Sequence, residues 1–146
     1  ELVDFLLENR AEEAQSLISS MLKQFLSVRN SGSELYYHGF LLGVLGLAGT
    51  MKGLVIREEH EGGDGYSDIL VENFDAGTVC ILELKRAREL DDCFQAADAA
   101  AEQIIKKGYA EGYVSRRYRR VYGLGIGFAK KSCVIKPLGN LAAGKA

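Results

Sequence analysis

Two strand-like runs in the middle of the chain, Tyr66-Ser67-Asp68-Ile69-Leu70-Val71 and Ile81-Leu82-Glu83-Leu84-Lys85, carry carboxylates inside otherwise apolar sequence. This restricts the fold more than any other feature, because burying a charge is costly unless it is paired or binds a metal. Side chains alternate between the faces of a strand, so Glu83 and Lys85 project together while Leu82 and Leu84 project the other way. Asp75-Ala76-Gly77 lies between the runs and reads as a hairpin turn. Antiparallel pairing through that turn brings Asp68 toward both residues, giving two carboxylates and an ammonium group at one end of an apolar hairpin. Hard oxygen ligands of this kind suit Mg²⁺ or Mn²⁺. The bland alternative is a same-face ion pair at a sheet edge, worth at most about 1 kcal/mol when exposed. The place of Glu83 inside the apolar run Val79 to Leu84 speaks against it.

Before the hairpin the apolar period is helical. Leu2 to Leu7 reads as a short helix ending near Asn9, and Asn9 with Glu12 reads as the cap of a second helix. That helix carries Ala14, Ile18, Met21, Leu22 and Phe25 as a one-sided stripe. A third helix from about Glu34 to Leu47 is apolar on nearly all sides and is expected to be buried. After Gly49 the pattern becomes strand-like, with Leu54 to Glu58, Tyr66 to Asn73 and Thr78 to Lys85 forming a meander; Gly62 to Gly65 supplies one of its turns.

Leu90 to Lys107 returns to a helix, with Leu90, Phe94, Ala97, Ala101 and Ile104 as its stripe. A short helical or irregular piece then leads to Val121 to Phe128, where Gly123, Gly125 and Gly127 leave one strand face bare. No helix follows at the spacing of a nucleotide-binding loop, so these glycines make room for the packed helix. Lys130-Lys131 turns the chain into a last strand, Cys133 to Lys136. The order ααα-βββ-α-ββ describes an α/β (α+β) domain with a central mixed sheet of about five strands flanked by helices.

The order of an acid-bearing helix, an aspartate in a strand, Glu-x-Lys in the next strand and a glutamine on the following helix resembles the PD-(D/E)XK nuclease superfamily. Tyr37-His38-Gly39-Phe40-Leu41-Leu42-Gly43, Gly65-Tyr66-Ser67-Asp68, Leu82-Glu83-Leu84-Lys85 and Gln103 to Tyr109 are similar to the branch found C-terminal to AAA-like ATPase domains. The resemblance implies a restriction-endonuclease-like core over residues 33–138; the helical segment over 1–32 matches only in character and is expected to pack on that core, and Gly139 onward reads as a frayed, flexible tail over 139–146. It also implies Asp68 and Glu83 as acidic metal ligands and Lys85 as the catalytic lysine. Glu34 would be the helical acid that completes the site, Gln103 the orienting glutamine, with Tyr109 in a matching position after it. The backbone carbonyl of Leu84 would be a further metal ligand. Ser67 stands where the superfamily's name has proline, a residue that contributes no ligand.

The implied activity is Mg²⁺- or Mn²⁺-dependent phosphodiester hydrolysis, on DNA rather than RNA, by an endo- or exonuclease. The alternative is a catalytically weak or inactive nucleic-acid-binding module controlled by a covalently linked ATPase-like neighbour. A homodimer is compatible with either. Without the resemblance, Glu34 with Ser31 reads as a capping box, His38 as a packed core histidine, and Gln103 as a good helix former.

Net charge is −2 over 146 residues, but the cations crowd the C-terminal part. Lys106, Lys107, Arg116, Arg117, Arg119 and Arg120 are the candidate phosphate contacts, and no base-reading element accompanies them. Three cysteines without a C-x-x-C spacing favour neither a disulfide framework nor a zinc cluster, and a reducing cytoplasm is the simpler home. No apolar run reaches the ~20 residues that span a bilayer, so no membrane partner is expected. The chain begins in a helical pattern without methionine, which points to a piece of a longer protein.

Overall fold

The computed structural model describes residues 1–25, 34–59 and 68–143. Three helices come first: α1 (Leu2–Leu7), α2 (Ala11–Phe25) and α3 (Glu34–Lys52). The meander β1 (Val55–Glu59), β2 (Asp68–Asn73) and β3 (Thr78–Arg86) follows, each neighbour antiparallel. One 3-10 turn, Leu90–Asp92, leads into α4 (Cys93–Lys107) and α5 (Tyr109–Ser115). β4 (Arg120–Ala129) then runs parallel to β3, and β5 (Ser132–Asn140) closes the sheet antiparallel to β4. The result is one five-stranded mixed sheet in the order β1-β2-β3-β4-β5, the restriction-endonuclease-like architecture expected from the sequence.

Side-chain alternation assigns each strand face to a separate core. Ile69, Val71, Cys80, Leu82, Leu84, Leu124, Ile126 and Phe128 pack with Leu6, Ile18, Leu22, Tyr37, Leu41 and Leu45 from α1 to α3. The opposite face gives Leu70, Val79, Ile81 and Val121 to Ile104 and Tyr113 of α4 and α5. Helices therefore cover both sides of the sheet, and the even residues of β2 and odd residues of β3 look toward α4.

Several local expectations shift. Asn9 takes a left-handed φ of 57° and its Oδ1 is buried without a hydrogen-bond partner among the described residues, so it does not cap α2. Arg10 stands directly before that helix and pairs with Glu13. α3 is not buried all round: Tyr37, His38, Leu41, Leu45 and Gly49 form a narrow buried stripe, while Leu35, Leu47 and Met51 face outward. Its composition is uniformly apolar, but only one side meets the sheet. On α4 the buried stripe is Cys93, Ala97, Ala100, Ala101 and Ile104, while Phe94 beside it and Leu90 in the 3-10 turn are exposed.

β5 continues past Lys136, and the segment read as a frayed tail from Gly139 enters the sheet through Asn140. Its Oδ1 accepts from the Val121 and Ala142 backbone N–H groups, and its amide donates to the Arg119 carbonyl. Ser31, the glycine-rich turn at 62–65, Tyr66, Ser67 and the Tyr109 side chain lie outside the described residues.

Candidate active site

Glu83 owes its position to strand alternation on β3, and Asp68 to the register of β2. Ile69 stands opposite Leu82, so one step outward Asp68 stands opposite Glu83, on the face that looks toward α4. Asp68 is fully buried and Glu83 is 8 % exposed. Lys107 Nζ sits between them, 3.2 Å from Asp68 Oδ1 and 3.2 and 3.0 Å from Glu83 Oε1 and Oε2. Asp68 Oδ2 is buried and has no hydrogen-bond partner among the described residues.

Burial pushes the Glu83 carboxyl above its ordinary range, opposed by the ammonium groups of Lys107 and Lys85 and reinforced by the negative charge of Glu34. Desolvation wins that contest. A carboxyl pKa raised by burial among other charged groups is a mark of functional sites, and here it accompanies a fixed geometry.

Lys85 follows two residues after Glu83 on the same strand face; its backbone pairs with β4, and its ammonium forms no hydrogen bond or ion pair among the described residues. Glu34 comes from the other helical layer: its Oε1 accepts from the Arg86 backbone N–H at 3.1 Å, at the end of β3. The structure thus brings Asp68, Glu83 and Lys85 to one face and sets Glu34 at its edge. Among the described residues no three His, Cys, Asp or Glu side chains converge as a metal cage. Gln103 lies one turn before Lys107 on α4, partly buried. His38 stands apart, with Nδ1 3.5 Å from Glu58 Oε1 on β1.

Two hard carboxylates, one with a buried unsatisfied oxygen, fit Mg²⁺ or Mn²⁺. Mg²⁺ commonly takes one or two carboxylates and completes its shell with water and phosphate oxygens, so a third protein acid is not required.

The candidate phosphate-contact residues divide. Lys106 is exposed on α4, whereas Lys107 is 17 % exposed and turned inward to the carboxylates. Arg119 and Arg120 donate their backbone N–H groups to the Gly77 carbonyl, at the far end of the hairpin. From Thr78 to Glu83 is five residues of strand, roughly 17 Å. Arg116 lies over the Tyr113 ring, 4.4 Å from its centroid, and Arg117 occupies a left-handed turn at φ 68°.

Sequence reasoning gave Lys107 a surface role, but the signal was there: Ala97, Ala100 and Ile104 lie on one α4 stripe, and Lys107 is its next position. It missed a second polar group altogether. Arg57 pairs with the buried Glu72 through Nε at 3.1 Å, and its Nη2 donates to the Tyr113 hydroxyl at 2.7 Å. Arg57 and Glu72 alternate onto the α5 side of neighbouring strands, which is where a strand pattern would have put them.

A family model of the PD-(D/E)XK nuclease superfamily matches residues 32–137. Comparison with curated proteins finds no match. The crystal structure of SSO0001 aligns at a TM-score of 0.30 and 14% identity over 96% of this chain and 78% of that one, a likeness that carries no argument. Among the described residues no helix is long and apolar enough to cross a membrane.

Proposed function

The chain belongs to the PD-(D/E)XK nuclease superfamily, and from that premise we propose that it is a Mg²⁺- or Mn²⁺-dependent phosphodiesterase acting on nucleic acid, DNA in preference to RNA. The observation that carries this reading is the buried pair Asp68 and Glu83 with the uncontacted Asp68 Oδ2, beside an unpaired Lys85 on the same face.

Asp68 and Glu83 would hold the cation, with the Leu84 backbone carbonyl as a further ligand and Glu34 at the edge of the shell. A cation there supplies a more acidic water and neutralises charge on the phosphate. Lys85 places its ammonium where negative charge grows as water adds to phosphorus and the bond to the departing sugar oxygen breaks. Gln103, one turn before Lys107 on α4, would offer a polar contact that orients the backbone of the substrate.

A second reading, a weakly active binding module joined to an ATPase-like neighbour in a longer protein, draws on one observation: Lys107 already pairs with both carboxylates. A cleavage panel on supercoiled, linear, branched and single-stranded DNA and on RNA separates the two. The nuclease reading expects metal-dependent products from the wild type and none from Asp68→Ala. Binding without cleavage would support the module, and cleavage that survives Asp68→Ala would sink the site.

A further inference from the structure

We propose that Lys107 is a resident cation of the carboxylate pair that exchanges with the divalent ion, so that the helix α4 sets how tightly the site takes a metal. This rests on the metal-site reading above and deepens it.

Lys107 Nζ contacts three carboxylate oxygens at 3.0 to 3.2 Å: Asp68 Oδ1, Glu83 Oε1 and Glu83 Oε2. A Mg²⁺ ion bound by the same pair requires oxygens at about 2.0–2.1 Å. Both cations therefore claim the same oxygens, and with the ammonium in place only Asp68 Oδ2 remains uncontacted. An ammonium and a metal ion cannot both sit in contact with the same three oxygens, so a metal seated on them displaces Lys107.

The placement of Lys107 suits exchange. It is the last residue of α4, and Gly108 ends the helix directly after it with a left-handed φ of 71°. The apolar stripe of α4 fixes its Cα over the site, while the four-carbon stem lets the ammonium leave without moving the helix. With the ammonium present, two buried like charges stand side by side at tolerable cost. Displaced by a metal, the same ammonium remains tethered at the end of α4, where the phosphate of a bound nucleic acid could receive it.

Two measurements on the whole chain test this. Binding of Mn²⁺ is followed by electron paramagnetic resonance for the wild type and Lys107→Met; the variant is expected to bind about tenfold more tightly, the scale of one charge-assisted hydrogen bond. In the wild type, which needs no substituted protein to fold, acetylation of Lys107 by acetic anhydride is read by mass spectrometry with and without saturating Mg²⁺. Labelling of Lys107 is expected to rise severalfold with metal while that of Lys52, paired with Asp4 on the far side, stays constant. Equal or weaker Mn²⁺ binding by Lys107→Met, or a Lys107 that stays protected in metal-saturated protein, overturns the exchange and leaves the nuclease reading intact. If neither protein binds Mn²⁺, the metal site fails and the exchange fails with it.

Discussion

A Cβ atom on Gly125 would lie 2.3 Å from the carbonyl oxygen of Ala97, so strand β4 and helix α4 touch backbone to backbone at this point. Gly127 stands in the same relation to Cys93. This close approach lowers α4 onto the sheet, and α4 in turn carries Lys107 to the carboxylates.

Gly125→Ala should therefore destabilise the protein by about 3 kcal/mol, since the clash is with backbone and cannot be relieved by a rotamer change. Gly112→Ala on α5, where a Cβ meets open space, should gain about 0.5 to 1 kcal/mol from helix propensity. Urea unfolding of the two variants checks both. Equal stability would mean that α4 does not rest on β4 as described.

Lys85→Ala should abolish turnover, by about 100-fold or more, while leaving the unfolding free energy within about 0.5 kcal/mol of wild type. The Lys85 side chain makes no hydrogen bond or ion pair among the described residues, so little structure depends on its ammonium. Cleavage rates in Mn²⁺ and the thermal transition, measured on the same preparation, decide whether its role is chemical.

Arg119 and Arg120 flank the turn end of the hairpin, and their joint replacement by alanine should weaken DNA binding without regard to sequence. The slope of log K against log salt should fall by about 0.9 for each phosphate that is no longer neutralised. Anisotropy titrations at several salt concentrations measure it, and an unchanged slope would take this end of the sheet out of the interface.

Burial pushes the Cys133 thiol up to about 11, with the Ser19 hydroxyl pulling the other way, and raises Cys80 and Cys93 as well. At pH 8 none of the three should react with iodoacetamide until the protein unfolds. Between the ordinary thiol range near pH 9 and pH 11 the unfolded chain loses protons that the folded chain keeps. Stability is thus full below pH 9 and falls as pH rises, by up to about 1.4 kcal/mol per pH unit for each such thiol. Unfolding in urea from pH 8 to 10.5, compared with Cys133→Ala, reads the slope.

Features with a local period were legible in the residues alone. Alternation put Glu83 and Lys85 on one face, Asp75-Ala76-Gly77 turned β2 back on β3, and the bare glycine face of β4 announced a helix resting on it. The pairing of Asp68 with Glu83 was legible because it needs only one hairpin. Capping and burial were harder. Asn9 takes a left-handed turn and Arg10 stands before α2, and α3 exposes much of an apolar surface, because what a helix buries depends on what packs against it.

Which cation meets the two acids was settled at the level of packing. Lys107 is one of several lysines and arginines in this part of the chain, and although its spacing continues the α4 stripe, the spacing does not say which acids that face will meet. The fold selects it by continuing the apolar stripe of α4 one step past Ile104, over carboxylates that arrive from strands 24 and 39 residues away in sequence. Long-range ion pairs of this kind are set by how elements dock, and docking is a property of the whole packed core rather than of any segment.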